Sequence, residues 1–446
     1  MPNPDQDPNP YASPLADPES LEEEAILKKL TLRLIPFLFL LYVINILDRT
    51  NIGIAKLQML DDLEMDEAAY GLGAGLFYVG YLLFEVPSNL ILARTGARVW
   101  IARILVSWGI ISSAMMFVQG PLSFYALRIL LGVAEAGFFP GIILYLSYWF
   151  PARARARAIS KFMTAGLIAS MVGNPVSGAI LQYMNGAAGL ADWQWVYLLE
   201  GIPAVLLGFV TIRFLTDRPE LADWLTPRER DWLVQRMEAE RRELVGHGSG
   251  KLMAAMVDPR VWLLIGVYFT VAVGDNSYGF FLPTLIRSRF PDLGEFQIGL
   301  LAAIPSVVAI VAMVAVAYHS DRTGERRWHI AGSAFVAAAG WGMLALAPSP
   351  LVFVLGLIVT LAGMKSMLPT FWTVPTAMLS GTAAAGGIAL INSVANLGGM
   401  FGPAAVGKLK EAQGDFSSAL LLVAAVLAAG GILALCIERT RSSKEA

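Results

Sequence analysis

Charged side chains are scarce in this sequence of 446 residues, where Asp, Glu, Lys and Arg together make up 15%. Soluble proteins carry about a quarter, so a large soluble fold, which needs a charged shell, is excluded. The formal net charge is only −2, which gives no reason to expect a nucleic-acid partner. Cys436 is the only cysteine and excludes both an intrachain disulfide and a cysteine-rich metal site. No metal or cofactor is therefore predicted.

Apolar residues make up 56% of the chain. They cluster in runs that exceed the roughly 20 residues with which an α-helix crosses a bilayer. The sequence therefore predicts an all-α polytopic membrane protein with twelve transmembrane helices. The predicted spans are 33–56, 67–93, 98–118, 121–149, 158–184, 194–214, 259–287, 296–318, 329–347, 350–379, 385–408 and 416–437.

The longest polar interruption, 215–258, divides these spans six and six. It contains Thr226 followed by Pro227, a typical helix start, and predicts an amphipathic helix on the cytoplasmic surface. The N-terminus lacks the basic start and apolar core of a signal peptide. The predicted segments are a disordered to amphipathic cytoplasmic tail at 1–31, a six-helix bundle at 32–214, the linker at 215–258, a second six-helix bundle at 259–438 and a cytoplasmic tail at 439–446.

Basic residues occur mainly in alternate connections between the predicted spans, a bias that marks the cytoplasmic side. The intervening connection 57–66 holds only acidic charges. Lys408 and Lys410 are an exception, because they fall on the predicted outer side. The pattern predicts that both termini face the cytoplasm. The bases that set it are Arg94, Arg98, Arg103, Arg153, Arg155, Arg157, Lys161, Arg322, Arg326, Arg327, Arg439, Arg441 and Lys444.

The two halves of the chain repeat each other weakly. "RTGAR" at 94–98 matches "RTGER" at 322–326, and "VGNP" ending at Pro175 matches "MFGP" ending at Pro403, each at an offset of 228 residues. Two parallel six-helix repeats are typical of alternating-access transporters, which bind substrate near the midplane between the halves.

The loop "AYHSDRTGERR" at 317–327 resembles the loop signature of the major facilitator superfamily. The resemblance implies the fold predicted above, with Asp321 capping a neighbouring helix and Arg322, Gly324 and Arg326 completing a cytoplasmic gate. The first-half copy includes Arg94 and Arg98 but has Ala93 where the signature has an acid.

Longer strings resemble the anion:cation symporter branch of that superfamily, which includes tartrate, phthalate, galactonate and hexuronate permeases. They are "NILDRTNIGIAKLQM", "FEVPSNLIL", "RILLGVAEAGFFPGIILYLSYWFP", "DRPELADWLTPRERDWL" and "INSVANLGGMFGP". The resemblance implies uptake of a small organic anion. It also implies functional roles for the acid–arginine pair of the first helix, Asp48 and Arg49, and for Arg128 and Glu135 of the fourth.

These four residues place charge inside predicted spans, where each charge costs roughly 2.5–3.5 kcal/mol near the helix centre. Arg128 and Glu135 lie seven residues apart and face one direction. We predict that Arg49 grips a substrate carboxylate through its two-pronged guanidinium. Asp48 and Glu135 are predicted to carry protons, with Arg128 holding Asp48 ionised. The alternative is a structural network that pins the two helices together.

The second half has its own charges in spans, Asp275 and Lys365. Either they neutralise each other or Lys365 meets a second anionic or polar group of the substrate. Further residues are predicted to contact substrate, each with packing as the alternative: Tyr81, Tyr278, Trp372, Asn392 and Asn396. Tyr78 shares a stripe with Tyr81, and Asn276 lies beside Asp275. Glu85 is predicted to be a structural or gating group.

The leading functional prediction is proton-coupled symport of a small carboxylate, such as a sugar acid, hydroxy acid, dicarboxylic acid or aromatic acid. The alternatives are an anion exchanger, a proton-driven exporter, a carboxylate sensor that does not transport, and a membrane enzyme. An enzyme is disfavoured because the spans contain no nucleophile–base or metal-binding constellation. The histidines lie in loops or at the cytoplasmic edge: His247, His319 and His329. A monomer in a bacterial plasma membrane is expected.

Overall fold

The computed structural model describes residues 18–245, 258–378 and 381–437. The predictions for the extreme N-terminal tail, for His247 and for the bases of the C-terminal tail lie outside the described residues. The described residues form helices and no strand, which confirms that the protein is all-α.

The first half, residues 18–214, contains eight α-helices, and a ninth follows in the linker. They are α1 Pro18–Asp62, α2 Glu67–Thr95, α3 Ala97–Ala114, α4 Pro121–Glu135, α5 Phe138–Trp149, α6 Ala152–Met163, α7 Ala165–Tyr183, α8 Asp192–Phe214 and α9 Pro227–Val245.

The second half, residues 258–437, contains seven α-helices in its described part. They are α10 Pro259–Arg289, α11 Glu295–Thr323, α12 Arg327–Leu346, α13 Pro350–Met378, α14 Gly381–Ala395, α15 Gly398–Gln413 and α16 Ser417–Leu435. Across the described residues, ten stretches of helix are long and apolar enough to cross a membrane by length and composition. The chain is thus a multi-pass membrane protein, and the count of twelve spans stays a prediction.

Three of the predicted spans, 121–149, 158–184 and 385–408, each consist of two helices rather than one. The first of these breaks has a clear cause. Gly137 has φ +87°, a left-handed conformation that favours glycine, and a Cβ at this position would collide with the Ser88 hydroxyl. The break makes Glu135 the last residue of α4, and so it sets the position of a candidate site residue.

Linker helix α9 begins where the sequence predicts. The Thr226 amide donates to Glu229 Oε2 at 2.8 Å, and the Glu229 amide donates to Thr226 Oγ1 at 3.3 Å, a reciprocal cap. Lys29 of α1 also donates to Glu229 Oε2, at 2.7 Å. Slight burial raises the pKa of Glu229, but the hydrogen bonds from Lys29 and Thr226 outweigh it and the pKa is lowered. Helix α9 is therefore tied to the first half.

Helices within the first half pack so closely that some glycines contact the backbone of the neighbouring helix. A Cβ at Gly132 of α4 would overlap the Phe77 carbonyl oxygen of α2, and one at Gly80 of α2 would overlap the Ile129 carbonyl oxygen of α4. Small residues at helix contacts are how membrane helices associate, because lipid supplies no hydrophobic driving force between them. Helix α4, which carries Arg128 and Glu135, is therefore held directly against α2.

The two halves meet mainly at the end of the molecule next to the acidic connection 57–66. There, a Cβ at Gly71 of α2 would overlap the Pro403 carbonyl oxygen of α15, and one at Gly178 of α7 would lie 2.5 Å from the Glu295 carbonyl oxygen of α11. Tyr70 donates to the Phe280 carbonyl at 3.0 Å across the same boundary. We call this contact the outer closure, because the predicted topology places the 57–66 connection outside the cell.

Candidate functional site

The centre of the candidate site is a contact between α1 and the end of α4. Arg49 contacts Glu135 Oε1 through both Nε and Nη2. Asn45, one helical turn before Arg49 on α1, donates to the same oxygen at 2.7 Å. Glu135 is 1% exposed, and its second oxygen, Oε2, has no hydrogen-bond partner. One carboxylate oxygen thus accepts from both Arg49 and Asn45, while the other has no partner among the described residues.

Arg49 is held in place by aromatic rings but is not sealed from solvent. Its guanidinium carbon lies 5.1 Å from the ring centres of both Phe77 and Tyr81 of α2, distances at which cation–π attraction operates. The side chain remains 26% exposed, whereas that of Glu135 is 1% exposed. Tyr81, a predicted substrate contact, therefore lies beside Arg49. The guanidinium of Arg49 remains partly accessible to solvent.

Asp48 faces away from this contact. It accepts hydrogen bonds from the Trp108 indole and from Ser112 Oγ at 2.7 Å, both on α3, and from Asn51 at 3.4 Å. Adjacent residues on a helix point in different directions, so Asp48 and Arg49 belong to separate clusters. Asp48 is 2% exposed and is enclosed inside the first half.

The predicted pairing of Arg128 with Asp48 is not formed. Arg128 instead donates to the α2 carbonyls of Gly73 at 3.3 Å and Ala74 at 3.0 Å, with Phe77 5.0 Å from its guanidinium carbon. The physical reason is proximity, since the tight α2–α4 packing brings carbonyl oxygens to a buried arginine that needs acceptors. In this conformation Arg128 braces α2 rather than an acid.

In the second half, Lys365 of α13 and Asp275 of α10 form an ion pair at 2.7 Å. Both side chains remain partly exposed, at 21% and 35%, so the pair lies within reach of solvent. Tyr78 of α2 donates to Asn276 of α10, next to this pair. The contact joins the two halves close to both charged pairs.

The other second-half aromatics occupy two different environments. Tyr278 is turned into the interior of the second half, where its hydroxyl donates to the Leu357 carbonyl at 3.1 Å and its ring lies edge-on to Trp341. It is 3% exposed and makes these contacts instead of joining the charged pairs, so its contact with substrate stays a prediction. Trp372 packs edge-on against Tyr268 and stays half-buried.

Asn392 and Asn396, the asparagines of the predicted eleventh span, lie in the last turn of α14 and just after it, before α15 begins. The Asn396 amide donates to the Asn392 carbonyl at 3.0 Å, which keeps both on one turn. Neighbouring Ser393 donates to Glu85 of α2 at 3.0 Å, and the Asn392 side chain interacts with the same carboxylate. Glu85 thus joins the two halves, as expected of a structural or gating group.

The cytoplasmic loop motif of the second half forms a compact cluster. Arg326 pairs with Asp321 at 2.6 Å, and Gly324, at φ +69°, ends α11 in the left-handed conformation; Arg322 is exposed. Burial raises the pKa of Glu325 slightly, but hydrogen bonds from the Trp328 amide and from His329 outweigh it and the pKa is lowered. The loop therefore carries the Arg326–Asp321 ion pair and an ionised Glu325 carboxylate.

In the first-half copy of this loop, the acidic residue that contacts the arginine comes from the linker. Asp217 of the linker accepts from the Arg98 amide at 2.7 Å and lies 3.9 Å from Arg98 Nε, while Arg94 is exposed. Asp217 therefore supplies the acid that Ala93 does not.

Sequence reasoning missed Asn45, Asp217 and Glu200. Asn45 was detectable, because it lies four residues before Arg49 and shares its helix face. Glu200 stands alone in the sixth span, and only its burial in the folded chain shows that it matters. Among the described residues, no group of three or more His, Cys, Asp or Glu side chains could hold a metal ion.

Comparison with known proteins agrees with this architecture. The family model described as "Major Facilitator Superfamily" matches residues 38–403 and 291–446. A protein of Agrobacterium vitis named "Putative tartrate transporter" is 50% identical over 94% of this chain and 92% of its own length. A protein of Acinetobacter baumannii named "Quinolone resistance transporter" is 39% identical over 92% of this chain and 94% of its own. A partially occluded inward-open structure of the E. coli xylose transporter XylE superposes with TM-score 0.72 at 14% identity, covering 94% of this chain and 100% of that one.

The chain belongs to the Major Facilitator Superfamily, which confirms the resemblance drawn from its motifs. It is a membrane transporter and not an enzyme, as its family and its relatives named as transporters indicate.

Proposed function

We propose that this protein imports a small carboxylate together with protons, using Arg49 to bind the anion and Glu135 to carry a proton. One observation supports this most directly. Glu135 Oε1 holds Arg49 and Asn45, while its buried Oε2 is unpartnered. A buried unpaired carboxylate oxygen is costly, and binding a proton would relieve that cost.

Protonation and substrate binding are then linked through Arg49. An ionised Glu135 neutralises the guanidinium and competes with an incoming carboxylate. When a proton bonds to Oε2, Glu135 becomes neutral and its hold on Arg49 weakens. The guanidinium can then make two parallel hydrogen bonds to the substrate carboxylate. Anion and proton would therefore be loaded together, and each would be released when the other leaves.

The Lys365–Asp275 pair provides a second polar contact on the opposite side of the site. Because both side chains are partly exposed, Lys365 can exchange its partner for a second carboxylate or a hydroxyl of the substrate. A dicarboxylate or hydroxy acid fits two cationic groups better than a monocarboxylate does. The resemblance to a relative named as a tartrate transporter supports this substrate class.

The remaining features of the proposed cycle come from the sequence. We infer twelve spans in two six-helix bundles, at 32–214 and 259–438, with the 215–258 linker and both termini in the cytoplasm. Contact between the halves at the outer closure then corresponds to a conformation open toward the cytoplasm. A monomer in a bacterial inner membrane is the proposed working unit.

Uptake by the purified protein in proteoliposomes tests the proposal. We expect accumulation of a radiolabelled hydroxy dicarboxylate, with L-tartrate as the first probe, to be faster when the outside is acidic, and to stop when an ionophore collapses the proton gradient. Unlabelled mono-, di- and sugar carboxylates compete in parallel to define the class. Uptake indifferent to the gradient for every competing acid would reject proton coupling.

Export is the second candidate, because a relative at 39% identity is named as a quinolone resistance transporter. A proton-driven exporter could use the same acids in reverse. The same vesicles distinguish the two. An exporter driven by an inward proton gradient expels a preloaded fluoroquinolone as protons enter, whereas the proposed importer leaves the preloaded drug inside. Arg49, which is partly exposed and cationic, favours an anionic cargo.

The outer closure predicts a conformational variant. An Ala at Gly71 would press its Cβ into the Pro403 carbonyl; overpacking typically costs about 1–3 kcal/mol, enough to shift a two-state equilibrium about 5- to 150-fold. We expect Gly71→Ala to open this end, so that a cysteine at Met400, in a Cys436→Ser background, reacts faster with an impermeant thiol reagent from outside.

Gly279→Ala is the matched control, because Gly279 lies in the same region but a Cβ there meets nothing within 4 Å. It should label at the parental rate. Equal labelling of the Gly71→Ala and Gly279→Ala proteins would show that the halves do not separate at this contact.

A further inference from the structure

Glu200 is a buried acid that the mechanism above does not use. It lies in α8, in the string "VYLLEGIPAV", and is 5% exposed. It forms no ion pair within the described part of the chain. An uncompensated charge inside a membrane-spanning helix costs roughly 2.5–3.5 kcal/mol or more. Its environment must therefore either neutralise it or supply strong donors.

The hydrogen bonds around Glu200 satisfy only one of its two carboxyl oxygens among the described residues. Ser177 Oγ lies 2.6 Å from Glu200 Oε1 and 3.0 Å from the Gly173 carbonyl oxygen. A serine hydroxyl has a single proton to donate, and a carbonyl can only accept. Ser177 can therefore donate fully to only one of these oxygens, and Glu200 Oε1 is the closer. A separation of 2.6 Å is normal for an O–H···O hydrogen bond.

Two unpartnered acceptors adjoin this contact. Glu200 Oε2 and Asn51 Oδ1 are both buried without a hydrogen-bond donor, and Asn51 is 1% exposed. The Asn51 side chain donates to Asp48 and also interacts with Glu200. Asn51 thus lies between two acids, with an acceptor oxygen that still lacks a proton to bind.

The charged and titratable groups that face Glu200 are few among the described residues. Asp48 of α1 interacts with it electrostatically, and Tyr197 lies on the same helix. Asp48 is surrounded by donors from Trp108 and Ser112, which suits an ionised carboxylate. Two acids facing each other inside the protein without a neighbouring base cannot both stay ionised cheaply, so Glu200 is the one that suits the proton.

We propose that Glu200 holds a proton in a site enclosed by α1, α7 and α8, which it shares with Asp48 through Asn51. The bound species is a hydrogen ion. The site is separate from the Arg49–Glu135 contact, because Asp48 and Arg49 face different clusters. Its use in transport rests on the proposed proton coupling, whereas the presence of the proton does not.

The site is placed to respond to the conformation of the protein. Ser177 is followed by Gly178, whose Cβ position lies 2.5 Å from the Glu295 carbonyl oxygen at the outer closure. Separation of α7 from α11 on opening would therefore move Ser177, the hydrogen-bond partner of Glu200. Opening of the outer end would therefore change the hydrogen bonding of the Glu200 carboxyl group and with it the hold of the site on its proton.

Infrared spectroscopy of the purified full-length protein, without substrate, tests the site directly. Protonated carboxyl groups have a carbonyl stretch that ionised ones lack, and it shifts in heavy water. At neutral pH we expect Glu200→Gln to lose the intensity of one carboxyl group relative to wild type, while Glu411→Gln, at an exposed position, loses none. A Glu200→Gln spectrum that superimposes on wild type would overturn the proposal. So would loss of the band in Asp48→Asn with its retention in Glu200→Gln.

Ser177→Ala covers the case in which Glu200→Gln fails to fold. It leaves the carboxyl group but removes its partner, so the band should move to higher frequency; an unmoved band also overturns the proposal. The uptake assay separates this inference from the proposed function. Gradient-driven uptake by wild type with no spectral change in Glu200→Gln rejects the Glu200 site alone. Band loss in Glu200→Gln with gradient-indifferent uptake by wild type rejects proton coupling alone.

Discussion

Glu135→Gln is expected to reduce the steady-state accumulation ratio of the labelled anion to about one, because binding of the anion and of the proton are no longer coupled. Glutamine keeps the shape and an acceptor oxygen for Asn45 and Arg49, but it carries no titratable proton. Exchange of labelled for unlabelled anion across the membrane should continue, since exchange requires no net proton movement. Concentrative uptake and exchange measured on the same vesicles check both expectations.

The same substitution should change how substrate binding depends on pH. In the wild type, binding is expected to weaken as pH rises, because an ionised Glu135 competes for Arg49. In Glu135→Gln this competition is permanently absent, so binding should stay tight and become nearly independent of pH. Thermal shift of the purified protein with L-tartrate across a pH series measures it. Glu411→Gln serves as the control for removal of an exposed glutamate.

Unchanged accumulation by Glu135→Gln would remove Glu135 from the proton pathway. Loss of exchange along with accumulation would instead assign it to substrate binding or to the structural network that pins α1 to α4. The two measurements therefore separate a Glu135 that carries a proton from one that only binds substrate or holds α1 against α4.

The sequence was most informative where the cost of a membrane charge could be read directly. Arg49 and Glu135 were expected to converge because each is expensive in a span, and the structure joins them. The sequence could not assign partners, because a buried arginine can donate to any oxygen that the fold brings near it. Arg128 donates hydrogen bonds to carbonyl oxygens of α2, which the close packing of α2 against α4 brings within reach.

Helical spacing predicted which residues share a helix face, but it did not predict how deeply each residue is buried. Asn45 and Arg49 share a face and meet the same oxygen, as period 3.6 requires. Tyr278 lies one turn from Asp275, yet its ring is in the core while Asp275 is partly exposed. Likewise, nothing local distinguishes Glu200 from a lipid-facing outlier, since its neighbours Ser177 and Asn51 come from other helices.

Arg49→Lys tests the other half of the proposed exchange. A lysine retains the positive charge and can still pair with Glu135, but it cannot present two parallel donors to a carboxylate. A hydrogen bond to a charged group contributes about 1.5–3 kcal/mol, so losing one should weaken anion binding about 10- to 100-fold. Packing of the guanidinium between Phe77 and Tyr81 is lost as well, which adds to the effect.

Binding of L-tartrate measured by titration, and the concentration that half-saturates exchange, should both shift by this factor in Arg49→Lys. Arg213→Lys, at an exposed position on α8, should leave both unchanged. Wild-type affinity in Arg49→Lys would mean that charge alone attracts the anion and that the forked geometry is irrelevant. In that case Lys365, which already presents an ammonium group to the opposite side of the site, would become the better candidate for the primary anion contact.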